Sequence, residues 1–104
     1  MKKTALKNLT LVVIMILAGS FMPLVAQSTV KGRVVDSKSN ESIPGVTISV
    51  KGTLTGTMTD GDGNYKIDVS SPKETLVFTF VGYKPQEIVV GDRTTIDVNM
   101  EQSD

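Results

Sequence analysis

Asp60, Asp62 and Asn64 place three oxygen-bearing side chains at alternate positions of the run Thr59-Asp60-Gly61-Asp62-Gly63-Asn64. That spacing opens a calcium loop, in which carboxylate and amide oxygens replace the hydration shell of a hard cation. The EF-hand version also needs glycine at the sixth place and glutamate at the twelfth. Here those places hold Tyr65 and Ser71. The same six residues are also strong turn formers, because glycine accepts positive φ and Asp or Asn side chains bond nearby backbone. The run is therefore expected to be a hairpin turn, with no metal and no cofactor. Two neighbouring carboxylates can share acid–base work only where their surroundings push their pKa values apart, and a turn offers no such pocket.

Other chemistries are bounded by what the chain lacks. It has no cysteine and no histidine, so a thiol nucleophile, a histidine base and a Cys/His zinc site are all excluded. The expectation is a protein that is not an enzyme. Tyr65, Phe78, Phe80 and Tyr83 could stack on sugars, but Phe78 and Phe80 alternate with Thr79 as core residues of a strand do. Tyr83, next to Gly82 at a turn, is the aromatic singled out for ligand contact. The formal charge is zero over 104 residues, which leaves no basic footprint for nucleic acid.

The first 26 residues read as an export signal. Lys2, Lys3 and Lys7 precede the apolar run Leu9–Ala18, and Ala26 supplies a small residue before Gln27. A basic segment, a short apolar stretch and a small residue at the cut define a secretory signal peptide, with cleavage expected between Ala26 and Gln27. Beyond that point the chain holds 8 basic and 11 acidic residues, so the remainder is mildly acidic.

Residues 27–104 repeat one figure, a short alternating segment followed by a turn. Val30, Gly32 and Val34 alternate with Lys31, Arg33 and Val35; the polar run Ser37–Ser42 follows, and its Asn40-Glu41-Ser42 reads as loop chemistry despite fitting a glycosylation pattern. Val46, Ile48 and Val50 then alternate with Thr47, Ser49 and Lys51. Thr55–Thr59 reads as an edge strand, and Tyr65, Ile67 and Val69 oppose Asn64, Lys66 and Asp68. Glu74–Val81 is apolar on both faces, which predicts a central strand covered twice, or covered by a partner. Segments around Ile88 and Val90, and from Ile96 to Met100, complete the set, before the polar tail Gln102-Ser103-Asp104. No window keeps a helical period. Seven short strands with turns between them predict an all-β, seven-stranded antiparallel, Greek-key-like β-sandwich over residues 27–104.

The landmarks of this segment resemble the carboxypeptidase-regulatory-like domain, a transthyretin-like (prealbumin-like) sandwich. They are Gly32 with Val34 and Asp36, Pro44-Gly45-Val46, Lys51-Gly52, Gly56-Thr57 with Thr59-Asp60, Asp62-Gly63-Asn64-Tyr65, and Val81-Gly82-Tyr83. Behind a signal peptide, this version is similar to the N-terminal extension of SusC/RagA-type TonB-dependent outer-membrane receptors. The resemblance implies a non-catalytic accessory or interaction domain of a nutrient-uptake receptor, exported to the periplasmic side of a Gram-negative outer membrane. Its partner would be a periplasmic protein or the plug and barrel of the receptor, with the membrane reached only through an attached barrel. Because the chain reaches Asp104 about where a TonB-interacting segment and plug would begin, two readings stay open: a receptor fragment, or a free-standing secreted module that binds glycan or protein.

Overall fold

The computed structural model describes residues 27–104; the segment expected to be a signal peptide, with Ala26 at its end, lies outside the described residues. Seven strands follow in order: β1 (Ser28–Asp36), β2 (Thr47–Val50), β3 (Gly56–Met58), β4 (Asn64–Val69), β5 (Thr75–Thr79), β6 (Gln86–Val89) and β7 (Val98–Met100). They form two sheets, β4-β1-β7 and β3-β2-β5-β6, and the fold is an all-β sandwich. Each sheet sends alternate side chains inward. Val30 and Val34 come from β1, Ile48 and Val50 from β2, Tyr65, Ile67 and Val69 from β4, and Leu76 and Phe78 from β5. The Tyr65 and Phe78 rings meet edge to face, with centroids 5.5 Å apart, and so join the two layers at their centre.

Two features depart from the sequence expectation. The β1–β7 pairing is parallel, Val34 standing opposite Val98 and Asp36 opposite Met100, whereas the other strand pairs are antiparallel. The chain leaves the β4-β1-β7 sheet after β4, runs through β5 and β6 of the other layer, and returns beside β1 in the same direction. The second departure concerns β5, which lies between β2 and β6 but is covered within the chain on one face only. Leu76 and Phe78 are fully buried, Val77 is half-buried and Thr79 exposed; Val81, beyond the strand end, is 92% exposed. A two-layer sandwich has nothing of its own to lay over that outer face. Phe80 also leaves the strand, half-buried, and packs against Tyr83 at 5.9 Å instead of continuing the row begun by Phe78.

The β1–β7 seam depends on Gly32. A Cβ there would stand 1.9 Å from the Ile96 carbonyl oxygen and 3.0 Å from the Tyr65 ring, so any side chain would drive the return strand away. Phe78→Ala, at the sandwich centre, should cost about 3–5 kcal/mol. Lys66→Ala, on the exposed side of β4, should change stability by no more than about 0.5 kcal/mol. Chemical denaturation checks both values; equal midpoints would refute the assignment of inner and outer faces.

Candidate functional site

The Asp60–Asn64 run is a turn built on one carboxylate, but not the expected hairpin: it carries the chain from β3 of one sheet to β4 of the other, which pair with β2 and β1 and not with each other. Asp60 Oδ1 accepts from the Asp62 and Asn64 backbone N–H groups, both at 2.9 Å, and Gly63 N–H donates to the Asp60 carbonyl at 3.0 Å. Gly63 has φ +79°, and a Cβ on it would lie 2.7 Å from the Val34 carbonyl oxygen. The turn therefore packs straight onto β1, where Val34 N–H donates to the Gly63 carbonyl at 2.8 Å. Thr59 begins this arrangement: its buried hydroxyl donates to the Ile43 carbonyl at 2.7 Å and accepts from Val46 N–H at 2.9 Å. That stitch holds the corner containing Pro44 and Gly45 against the turn. Gly52 and Gly56 flank the β2–β3 connection, and Gly82, with φ +88°, sits immediately before Tyr83.

Tyr83 belongs to a second cluster, at the end of β1. Its hydroxyl donates to Asp36 Oδ2 at 2.7 Å, and Gln102 Nε2 donates to the same oxygen at 3.0 Å. Asp36 Oδ1 accepts from Lys38 N–H at 2.8 Å and Ser39 N–H at 3.0 Å. Four donors thus converge on one buried carboxylate, and hydrogen bonds to the charged form favour it. The Tyr83 hydroxyl above all, then the Ser39 and Lys38 N–H groups and Gln102, hold the Asp36 carboxyl well below the usual carboxylate range. The same bond pushes the Tyr83 phenol up. Tyr83 therefore has its hydroxyl engaged inside the chain, and only its ring remains to meet a ligand. Gln102 belongs to the polar tail by sequence; nothing in its type or spacing announces that it reaches back to β1.

A third feature is a groove of about 480 Å³ lined by residues of β1 and β4 together with Thr57 and Met58 of β3, the edge strand of the other sheet. Lys31, Arg33 and Lys66 line it together with Tyr65, Thr57 and Asp97. Arg33 is oriented by the 40s loop and the turn, its guanidinium donating to the Ser42 hydroxyl and to the Asp62 carbonyl. Arg33 N–H donates to Asp97 Oδ1 at 3.0 Å. Beneath the groove, the Tyr65 hydroxyl donates to the Ile96 carbonyl at 2.6 Å, and burial, then the Asp97 charge, pushes the phenol up to about 12. Tyr65 is buried and the cations above it are exposed. Asp60 and Asp97 line the same groove, so it carries both signs of charge.

Residues 30–104 match the CarboxypepD_reg-like domain family. The chain is 43% identical over 75 residues to TonB-dependent receptor P3 of Formosa agariphila, covering 72% of this chain and 8% of the receptor. It is 40% identical over 88 residues to TonB-dependent receptor SusC of Bacteroides thetaiotaomicron, covering 82% of this chain and 9% of the receptor. The chain thus spans less than a tenth of the length of these curated relatives. Among solved structures, it superposes with TM-score 0.54 and 25% identity on a chain of a type II cohesin–X-dockerin complex from Acetivibrio cellulolyticus, covering 69% of this chain and 52% of that one.

The Asp36 cluster makes a pH prediction. Its folded-state pKa is depressed, so its stabilisation is fully present above the unfolded value of about 3.9 and is lost as pH falls toward the folded one. Asp36→Asn should melt below the parent at pH 7, and the gap between the two should narrow progressively below about pH 4. Thermal melts across pH 2–7 provide the check. A gap that stays constant throughout would show that the Asp36 charge contributes nothing.

Proposed function

Because the chain belongs to the CarboxypepD_reg-like domain family, we propose that residues 27–104 serve as a non-catalytic periplasmic accessory domain of a SusC-like TonB-dependent nutrient receptor. The observation that carries this reading is the 36–43% identity to several TonB-dependent receptors, each matched over a domain-sized stretch. A stretch of that size is a small part of a receptor, and a sandwich with two solvent-facing sheets suits contact with protein rather than chemistry. Export follows from the signal sequence, with the processed chain beginning at Gln27. On this reading the domain lies at the periplasmic mouth of a barrel and works by contact, regulating or positioning what meets the receptor there.

The structure supports such a role through its firmly held C-terminal segment. Lys84 N–H donates to the Glu101 carbonyl at 2.8 Å, Ser103 N–H to the Gly82 carbonyl at 2.9 Å, and Gln86 Nε2 to the Asn99 carbonyl at 2.6 Å. With Gln102 bound to Asp36, the segment from Val98 to Ser103 is fixed to the sandwich. Any polypeptide joined beyond it would leave from a defined point and direction.

The test is a graft into the SusC relative. Deleting the matching segment from that receptor should lower uptake-dependent growth, and inserting residues 27–104 in its place should restore it. Growth unaffected by the deletion, or unrestored by the graft, would contradict an accessory role.

A further inference from the structure

β4 is an edge strand: in the sheet β4-β1-β7 it has β1 on one side and, among the described residues, no strand on the other. The bonds made by β1 fix which peptide groups of β4 are left over. Lys31 stands opposite Lys66. Its N–H donates to the Thr94 carbonyl at 3.0 Å, and its carbonyl accepts from Ile96 N–H at 2.9 Å. Both backbone groups of Lys31 thus point away from β4. That makes Lys31–Lys66 a non-hydrogen-bonded pair, in which Lys66 turns its own N–H and C=O away from β1. The pattern repeats at every second residue, so Asn64 and Asp68 do the same. Asn64 is satisfied by the turn: its N–H donates to Asp60 Oδ1 and its carbonyl accepts from Asp60 N–H, both at 2.9 Å. Among the described residues, no backbone group bonds Lys66 or Asp68 from that side.

The same side of the sandwich is open. The groove of about 480 Å³ has Thr57 and Met58 of β3 on its wall together with Asn64 and Lys66 of β4. A second groove, of about 270 Å³, is lined by Thr53 and Thr55 ahead of β3 and by Asp68 and Ser70. The two follow the gap between the sheet edges. Met58 beside it is 60% exposed, and Leu54, in the connection leading to β3, is fully exposed. β4 holds no proline, and its register with β1 runs unbroken from Asn64 to Val69. A regular strand with unpaired peptide groups is a template for another strand.

The charges on β4 select which strand. Lys66 and Asp68 have opposite signs and stand two residues apart on the exposed side. When two copies of β4 pair antiparallel about a two-fold axis through Ile67, Lys66 of each faces Asp68 of the other. Both members of such a pair turn their peptide groups to the open edge, as a hydrogen-bonded antiparallel pair requires. An axis through Lys66 or Asp68 would instead set like charges opposite one another, which is destabilising. A lysine alone on an edge blocks pairing; with Asp68 two positions on, the charge chooses one register. Across the joined sheets the row would run Lys31, Lys66, then Asp68 and Thr29 of the second copy, and Asp68 would keep its bond from the Thr29 hydroxyl.

We propose that the β4 edge is a self-association surface, on which a second copy of this chain pairs β4 against β4 in the register centred on Ile67. Two three-stranded sheets become one, and exposed Met58 and Leu54 flank the junction. Because each copy contributes the same edge, the assembly closes at two chains. This inference goes beyond the receptor reading and does not depend on it.

The test is sedimentation velocity on the chain purified after export, over a wide range of concentration. A reversible monomer–dimer equilibrium is expected. Lys66→Glu and Asp68→Lys should each weaken the dimer by about tenfold, since both symmetric pairs turn from attraction to repulsion. Mixing these two variants restores opposite signs at both pairs and should restore association. The double variant Lys66→Asp/Asp68→Lys exchanges the charges and should dimerise as the parent does. All these sites are exposed, so at dilutions that leave only monomer the variants should melt close to the parent. The proposal is overturned by a parent that stays monomeric throughout, or by single reversals that dimerise as tightly as the parent. It is equally overturned by a mixture or double variant that melts normally but does not associate, or by growth beyond two chains. A monomer that binds a free peptide of sequence Asn64–Val69 would put a foreign strand, not a second copy, on this edge and would also overturn it.

Discussion

The Tyr65 hydroxyl reaches the Ile96 carbonyl at 2.6 Å through space that residue 32 leaves empty. Tyr65 stands opposite Gly32 in the β1–β4 register, and a Cβ on that glycine would lie 1.9 Å from the Ile96 oxygen. One missing methyl group therefore lets three segments meet: β4 through the tyrosine, β1 through the glycine, and the lead into β7 through the carbonyl. The hydroxyl has a partner and the ring is buried against Phe78, so the contact carries both the polar and the apolar side of the junction. A parallel pair so short as β1–β7 gains much of its definition from this neighbour, since three residues of ladder offer few bonds of their own.

From that junction, order passes along β1 to Asp36, whose four donors gather the 38–39 turn, Tyr83 and Gln102 around one charge. Burying a carboxylate is costly unless it is fully hydrogen-bonded, and here each of its oxygens takes two donors. The consequence is a domain whose two ends of β1 serve different purposes. One end fixes the C-terminal segment; the face nearer the start of the strand offers Lys31 and Arg33 to solvent.

Much of this was legible in the residue types. Period-two alternation located β1, β2 and β4 closely, since inward Val and Ile alternate there with charged or hydroxyl side chains. Glycines marked the turns, while the Thr59 stitch and the Tyr65 bond to Ile96 are features that the structure adds. What remained hidden depends on pairing across long stretches of chain. The Lys31–Lys66 opposition exists only once the β1–β4 register is known, and a one-residue slip would abolish it. Gln102 resembles any polar tail residue until the fold brings it to Asp36, 66 positions away. The apolar outer side of Glu74–Val81 did not signal cover from within the chain, because β-branched and aromatic residues favour strands whether or not both faces are covered.

The central claim, that an absent side chain at residue 32 lets the sandwich close, is tested most directly by the sign of one stability change. Alanine in place of glycine usually stabilises by about 0.4–1 kcal/mol where the backbone tolerates it, because the unfolded chain loses freedom. Gly61, with nothing within 4 Å of where a methyl group would stand and no positive φ, should behave in that way or remain neutral. Gly32→Ala should instead destabilise by about 1–3 kcal/mol or more, as overpacking against backbone does. Equilibrium urea unfolding of the two variants beside the parent decides the matter. Opposite signs, with Gly32→Ala the unstable one, are the predicted result; a Gly32→Ala protein as stable as the parent would contradict the account.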